Sequence, residues 1–127
     1  MRGLIDTHVF LWQAEDSDRL SKIATDFIDD PSNTLFLSVA SVWEIVIKTM
    51  TGKLKIDKPI GAILSRLPTA GITLLPVNVD HVLAVQNLPD IHKDPFDRLL
   101  VAQASVEGAV FVTADAIFDQ YPVTRVW

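Results

Sequence analysis

The sequence predicts an α/β fold, doubly wound, with a mainly parallel sheet flanked by helices. Three observations predict it. Short apolar runs recur along the chain, segments with helical apolar spacing lie between them, and the whole is of a size for one core. The 127 residues suit one ordinary domain, covering 1–127, and the 49% apolar fraction supplies ample material to offset chain entropy. Strands that alternate with helices indicate a parallel sheet covered on both faces.

Gly3-Leu4-Ile5 reads as a buried first strand, and a helix runs on through Val9-Phe10-Leu11-Trp12. Ser21 is a cap for a second helix, with Ile23, Ala24, Phe27 and Ile28 on one face, and Pro31 ends it. Thr34-Leu35-Phe36-Leu37 is strand two. Val39 to Met50 has helical spacing, with Gly52 placed as its C-cap. A further helix covers Ile60 to Leu67, and Ile72-Thr73-Leu74-Leu75 is strand three. Val79 to Gln86 is helical and stops before Pro89. Pro95 opens a longer helix that carries Leu99, Leu100, Ala102 and Ala104 and ends at Gly108. Val110-Phe111-Val112 is strand four, and Val123 to Val126 a short last strand. Two polar stretches, Gly52 to Pro59 and Pro89 to Pro95, punctuate the chain, which holds no repeat, low-complexity tract or linker.

Composition narrows the function classes. The chain has no cysteine, so a disulfide framework and a thiolate zinc site are both excluded. A net charge of −5 argues against a protein that coats nucleic acid through a basic field. It is compatible with an enzyme that concentrates carboxylates in one cleft, where bound cations cancel part of the charge. No apolar stretch is long enough to cross a bilayer, and Asp6 and His8 interrupt the place a signal peptide's apolar segment would take. The reading is a soluble, cytoplasmic protein.

In doubly wound sheets chemistry collects at the carboxyl ends of the strands, and four acidic residues fall where that matters. Asp6 ends strand one; it is either a helix N-cap or a metal ligand. Glu44 lies in the apolar stretch Ser41-Val42-Trp43-Glu44-Ile45-Val46-Ile47-Lys48, where Lys48 offers an i,i+4 pair. Asp97 belongs to His92-Lys93-Asp94-Pro95-Phe96-Asp97-Arg98. There Asp94 is the N-cap, Pro95 the first helical residue, and Asp97 gains from the helix dipole. Simple winding does not specify how the loop before Asp94 returns this helix start to the carboxyl edge. Asp115 follows strand four and is equally a cap or a ligand, with Asp119 a weaker candidate one turn on. Asp6, Glu44 and Asp115 follow three different strands, so the fold brings them toward one edge. Crowded carboxylates repel, and a bound cation or raised pKa values resolve the repulsion. An all-oxygen set suits Mg²⁺ or Mn²⁺, and the scattered histidines disfavour zinc.

These residues, in this order, resemble PIN-domain ribonucleases, in particular the VapC-type toxins of bacterial toxin–antitoxin pairs. The likeness spans essentially the whole chain. It is carried by Leu4-Ile5-Asp6-Thr7-His8, by Ser41-Val42-Trp43-Glu44-Ile45, by Asp94-Pro95-Phe96-Asp97-Arg98-Leu99-Leu100-Val101-Ala102-Gln103-Ala104, and by Thr113-Ala114-Asp115. The resemblance implies hydrolysis of RNA phosphodiesters by metal-activated water, with Asp6 and Asp97 as direct ligands of Mg²⁺ or Mn²⁺. It implies that Glu44 and Asp115 complete or orient the shell, and that Asp94 remains a helix cap. It further implies a cognate antitoxin and a homodimer.

Several other residues have readings of their own. His8, His81 and His92 read as structural or surface residues. Thr7 and Thr113 read as caps or as hydroxyls that orient a ligand or touch phosphate. Lys48, Lys53, Lys55 and Lys58 offer a basic track for RNA, and Arg98 adjoins the site and offers a phosphate contact. The first helix is more apolar than one core face requires, so burial or an interface accounts for the surplus. The rival from another class is a receiver-type phosphorelay module, which needs an acidic pair after strand one and an Asp ending strand three. Here Asp6 stands alone and Pro76-Val77-Asn78 follows strand three. A phosphatase with an Asp-x-Asp motif fails at His8. A catalytically inactive PIN fold that serves only as a binding protein is opposed by the four intact acids.

Overall fold

The computed structural model describes all residues, Met1–Trp127. Five strands, β1 (Arg2–Ile5), β2 (Thr34–Ser38), β3 (Ile72–Leu75), β4 (Val110–Val112) and β5 (Arg125–Val126), form one sheet in the order β3-β2-β1-β4-β5. Every neighbouring pair is parallel, so the expected doubly wound α/β architecture is present. The helices are α1 (Thr7–Ala14), α2 (Lys22–Asp29), α3 (Val39–Met50), α4 (Ile60–Leu64), α5 (Val79–Val85) and α6 (Pro95–Val106), with a 3-10 helix at Ala116–Gln120. None is long and apolar enough to cross a membrane.

Central β1 sorts its side chains between two cores. Ile5, in register with Leu37 and Val112, faces Val9, Phe10 and Leu11 of α1 and Ala24 and Ile28 of α2. Leu4, one residue earlier and beside Phe111, faces Leu100, Val101 and Ala104 of α6. A slip of one residue would exchange the two sets, so apolar pattern and register specify each other. Gly3 lies on the α2 side, where an added Cβ would stand 2.5 Å from Phe27 Cε1; the glycine lets that ring lie on the strand backbone. Val9, Phe10 and Leu11 are all buried and Trp12 packs half-buried against the same core, so burial accounts for most of the first helix's apolar surplus.

Three expectations about elements need correction. Ile23 is 62% exposed, since α2 has only eight residues and turns just Ala24, Phe27 and Ile28 inward. The helix expected over Ile60 to Leu67 stops at Leu64: Arg66 and Leu67 donate to carbonyls three residues back, and Pro68 disfavours helical backbone at the residue before it. The last strand is confined to Arg125–Val126.

The path that returns the chain to Asp94 lies in the direction of α5. Asn78 caps this helix through a reciprocal pair with His81. His81, fully buried, lies 3.0 Å from Glu107 and 3.3 Å from Gln103, at the far end of α6. At the other end of α5, the Val85 carbonyl accepts from Arg98 at 3.4 Å, at the start of α6. The two helices therefore run antiparallel, and α5 climbs back toward the carboxyl edge. Arg98 also donates to the Pro89 and His92 carbonyls at 2.9 and 3.3 Å. Its guanidinium thus binds the returning loop, not the phosphate contact read from the sequence. Arg98→Ala is expected to cost about 1.5–3 kcal/mol, the range for hydrogen bonds to a charged group. The measurement is urea unfolding together with amide exchange, which should accelerate across 86–93 and not in β1.

Candidate active site

Asp6 occupies the N-cap position of α1, yet its side chain makes no capping hydrogen bond. Its Oδ2 instead accepts from Thr113 Oγ1 at 2.8 Å, across the sheet from the end of β4. Burial pushes the Asp6 carboxyl upward and the Thr113 hydroxyl partly offsets it. Thr113 is fully buried and does two things at once, since its Oγ1 also accepts the Asp115 N–H at 3.2 Å. Beside Asp6, Thr7 Oγ1 donates to Ser41 Oγ at 2.8 Å, which fixes the start of α1 against α3.

Glu44 is only 3% exposed and lies with Ala40, Ser41 and Ile45 among the buried residues of α3. Ser38 begins that helix by accepting the Ala40 N–H, and Gly52, at φ 75, follows its end. The expected partner is present: Lys48 Nζ lies 2.6 Å from Glu44 Oε2. At an exposed site such a pair contributes little. Here it keeps a buried carboxylate from being uncompensated, the arrangement whose rupture is costly. Glu44 Oε1 is buried with no hydrogen-bond partner at all.

Asp97 enters from α6. Asp94 caps that helix through the Phe96 N–H at 2.9 Å, Pro95 takes the first position, and Asp97 follows in the first turn. Asp97 Oδ2 stands 3.1 Å from His92 Nε2. Its carboxyl is pushed up to about 7 by burial first, then by the charges of Asp94, Asp6 and Glu44, with Lys48 opposing. Asp6, Glu44 and Asp97 thus lie close enough to feel one another's charge. Asp115 sits apart: it is exposed and its Oδ1 accepts the Ile117 N–H at 3.0 Å, capping the 3-10 helix. Asp119 is committed to Arg125 at 2.9 and 3.2 Å and takes no part in the cluster.

The structure thus joins three of the four predicted acids and leaves Asp115 at the rim, linked to Asp6 only through Thr113. Each of the three gives one oxygen to a donor from another side chain: Thr113, Lys48 or His92. No three Asp, Glu or His side chains converge closely enough to make a finished metal-ligand set. The unpartnered buried Glu44 oxygen, the oxygen-only donors and the raised Asp97 carboxyl nevertheless fit a hard divalent cation. A cavity of about 790 Å³ lies elsewhere, beside Phe10, Ala14, Ile63 and Leu67, and none of these acids lines it.

A family model described as PIN domain matches residues 3–123. The chain belongs to the PIN domain family. Solved structures share its fold. The VapBC2 structure from Rickettsia felis, bound to a DNA fragment from its promoter, aligns with a TM-score of 0.69 at 16% identity, over 98% of this chain and 97% of that one. DNA-bound VapBC from Salmonella typhimurium gives 0.70 at 16% identity, over 98% and 96%. VapBC-1 from nontypeable Haemophilus influenzae gives 0.64 at 21%, over 98% and 96%. At such identities the likeness concerns fold alone. No curated protein sequence matches the chain.

Sequence reasoning passed over two contributors to this PIN fold's acidic edge. Ser41 stands three residues before Glu44, so helical spacing alone puts both on one face. His92, which reads from the sequence as a structural or surface residue, faces Asp97. His81 is structural as expected.

Crowding has a consequence for the metal-free protein. Asp97 in the unfolded chain ionises near 3.8, and in the folded chain near 7. Below about pH 4 both states carry the proton and the site costs nothing. As pH rises toward 7 the unfolded state loses its proton first, so this carboxyl lowers stability, and the full penalty is present above that range. Asp97→Asn is expected to be more stable than the natural chain at pH 8 in EDTA, by about 1–3 kcal/mol after discounting for its partial contact with solvent. Urea unfolding at pH 4 and pH 8 checks it; an equal difference at both would contradict the account.

Proposed function

We propose that this chain is a metal-dependent endoribonuclease that hydrolyses RNA phosphodiester bonds, and that it is the toxin of a toxin–antitoxin pair. The observation that carries the reading is the gathering of Asp6, Glu44 and Asp97 at one edge with a buried Glu44 oxygen left unpartnered. Asp6 and Asp97 would hold Mg²⁺ or Mn²⁺ directly, and Glu44 and Asp115 would complete or orient the shell. The cation supplies activation of the attacking water and neutralises charge at the phosphate. Thr113 and Lys48 keep the Asp6 and Glu44 carboxylates oriented. Exposed Lys53, Lys55 and Lys58, between α3 and α4, give the RNA backbone a positive track on an otherwise acidic chain.

Membership of the PIN domain family supports the nuclease reading. The fold's likeness to VapBC chains, and to FitAcB from Neisseria gonorrhoeae at a TM-score of 0.65, supports a cognate antitoxin as partner. Residues 1–127 act as one domain, cytoplasmic and homodimeric, in this reading. The receiver alternative is opposed by strand order as well as by sequence. A receiver-type sheet runs 2-1-3-4-5, whereas this sheet runs β3-β2-β1-β4-β5.

The test is incubation of purified protein, free of any partner, with total tRNA and ribosomal RNA fragments in Mg²⁺, Mn²⁺ or EDTA. Cleavage is expected with metal, absent in EDTA, and reduced in Asp97→Asn by more than about 100-fold. That bound follows because loss of a ligand should exceed the roughly 10–100-fold cost of losing its outer partner. Cleavage that survives in the variant would overturn the assignment. Labelling by acetyl phosphate without RNA cleavage would favour the receiver.

A further inference from the structure

His92 belongs to the returning loop, outside the acidic set, and the site's chemistry as described does not use it. Its placement is nonetheless heavily determined. The backbone N–H of His92 donates to Tyr121 Oη at 2.7 Å. The ring lies nearly parallel to that of Phe118, with centroids 5.7 Å apart and planes 15° apart. Nδ1 accepts the backbone N–H of Asp94 at 3.1 Å. Phe118 and Tyr121 follow Asp115, and Asp94 starts α6, so three contacts from two elements hold one imidazole that is only 24% exposed.

Those contacts dictate which face of the ring does what. A neutral imidazole carries one proton, and a nitrogen that accepts a hydrogen bond cannot bear it. With Nδ1 accepting from Asp94, the proton sits on Nε2. That nitrogen is 3.1 Å from Asp97 Oδ2. The N–H therefore faces one chosen oxygen of the carboxylate and leaves the other to the acidic edge.

The geometry points to His92 as a positioning residue: its Nε2–H, fixed by the Asp94 peptide and the Phe118 ring, holds Asp97 Oδ2 so that Oδ1 is presented to a divalent cation. This rests on the metal-site reading above. Outer partners of ligating carboxylates set their orientation, and their loss typically weakens metal binding about 10–100-fold. The other explanation of the same contacts is that His92 merely fastens the loop to the 3-10 helix.

Two substitutions separate these. In His92→Asn the amide oxygen can still accept from Asp94, but the ring stacking is lost and nothing reaches Asp97. In His92→Gln the amide nitrogen can reach Asp97, but the Asp94 contact and the ring stacking are lost. The readout is Mn²⁺ binding, by calorimetry and by the spin-resonance signal of the bound ion, on the full chain without RNA. Both variants lose the ring stacking and are expected to melt below the natural chain, but His92→Asn is expected to bind Mn²⁺ roughly 10–100-fold more weakly and His92→Gln to bind near normally. Natural affinity in His92→Asn, with binding still lost in Asp97→Asn, would overturn the positioning role and leave the metal site standing. No Mn²⁺ binding by the natural chain, or binding unaffected by Asp97→Asn, would overturn the site and this role with it. Nitrogen NMR of the metal-free protein adds an independent check: a proton on Nδ1 of His92 overturns the proposal.

Discussion

Carboxylates that repel one another at one edge of the sheet are the constraint around which the rest of this molecule is arranged. Asp6, Glu44 and Asp97 arrive on different elements, and their charges raise one another's cost of ionisation. Each is held by a donor that lies beyond its own local turn or enters from another segment: Thr113 from the end of β4, Lys48 one turn along α3, His92 from the loop before α6. Remove the crowding and there is little reason for a threonine at the end of β4 to turn its hydroxyl on Asp6. The hydrogen bonds at this edge are arranged around acids.

The same constraint explains the course of the chain after β3. A simple crossover would run from β3 through one helix to β4. Here α5 and α6 intervene, antiparallel to each other, with His81 joined to Glu107 at one end and Arg98 joined to Val85 at the other. The extra helix turns the chain so that the first turn of α6, with its Asp94 cap and its Asp97, opens at the carboxyl edge. Buried polar groups hold this detour. His81 is fully enclosed and bonded on both nitrogens, since leaving either unpaired in such surroundings is costly. Arg98 adds a charged donor to the Val85, Pro89 and His92 carbonyls and so ties the end of α5 to the loop that follows it.

How much of this was legible in the sequence depended on range. The first four strands are written in contiguous apolar runs, and helix starts at Ser21, Asp94 and Pro95 in residue types whose capping chemistry is local. The convergence of Asp6 and Glu44 followed from topology, since both trail strands of one parallel sheet. The direction of α5 was not legible, because it rests on contacts between His81, Gln103 and Glu107 across more than twenty residues. Arg98 was misread for the same reason. Adjacency to Asp97 suggests phosphate, whereas the carbonyls that capture its guanidinium belong to the last residue of α5 and to a loop whose path no local pattern encodes. Asp115 and Asp6 looked alike, each following a strand. The structure separates them by burial: Asp115 is exposed and caps as such residues do, while Asp6 is enclosed and turns from its helix to Thr113.

Asp119 and Asp97 make the final comparison. Both are aspartates in the first turn of a helix. Asp119 is exposed, is gripped by both arms of Arg125, and is held below its ordinary range. Asp97 is partly buried among like charges and is pushed up to about 7. The chain therefore places a full counter-charge where water would have screened the acid anyway. At the acidic edge Lys48 is the lysine set against Glu44, Asp94 and Asp97, while Asp6 and Asp97 receive only the donors of Thr113 and His92. Matched cations there would have made a more stable fold, and stabilising surface charge is easily found in sequence space. A deficit of positive charge among partly buried acids, beside a buried carboxylate oxygen with no partner, departs from the rule that buried charge is paired. Departures of that kind concentrate where a protein's function demands them. Here the missing charge has the sign and the oxygen-only surroundings of a hard cation.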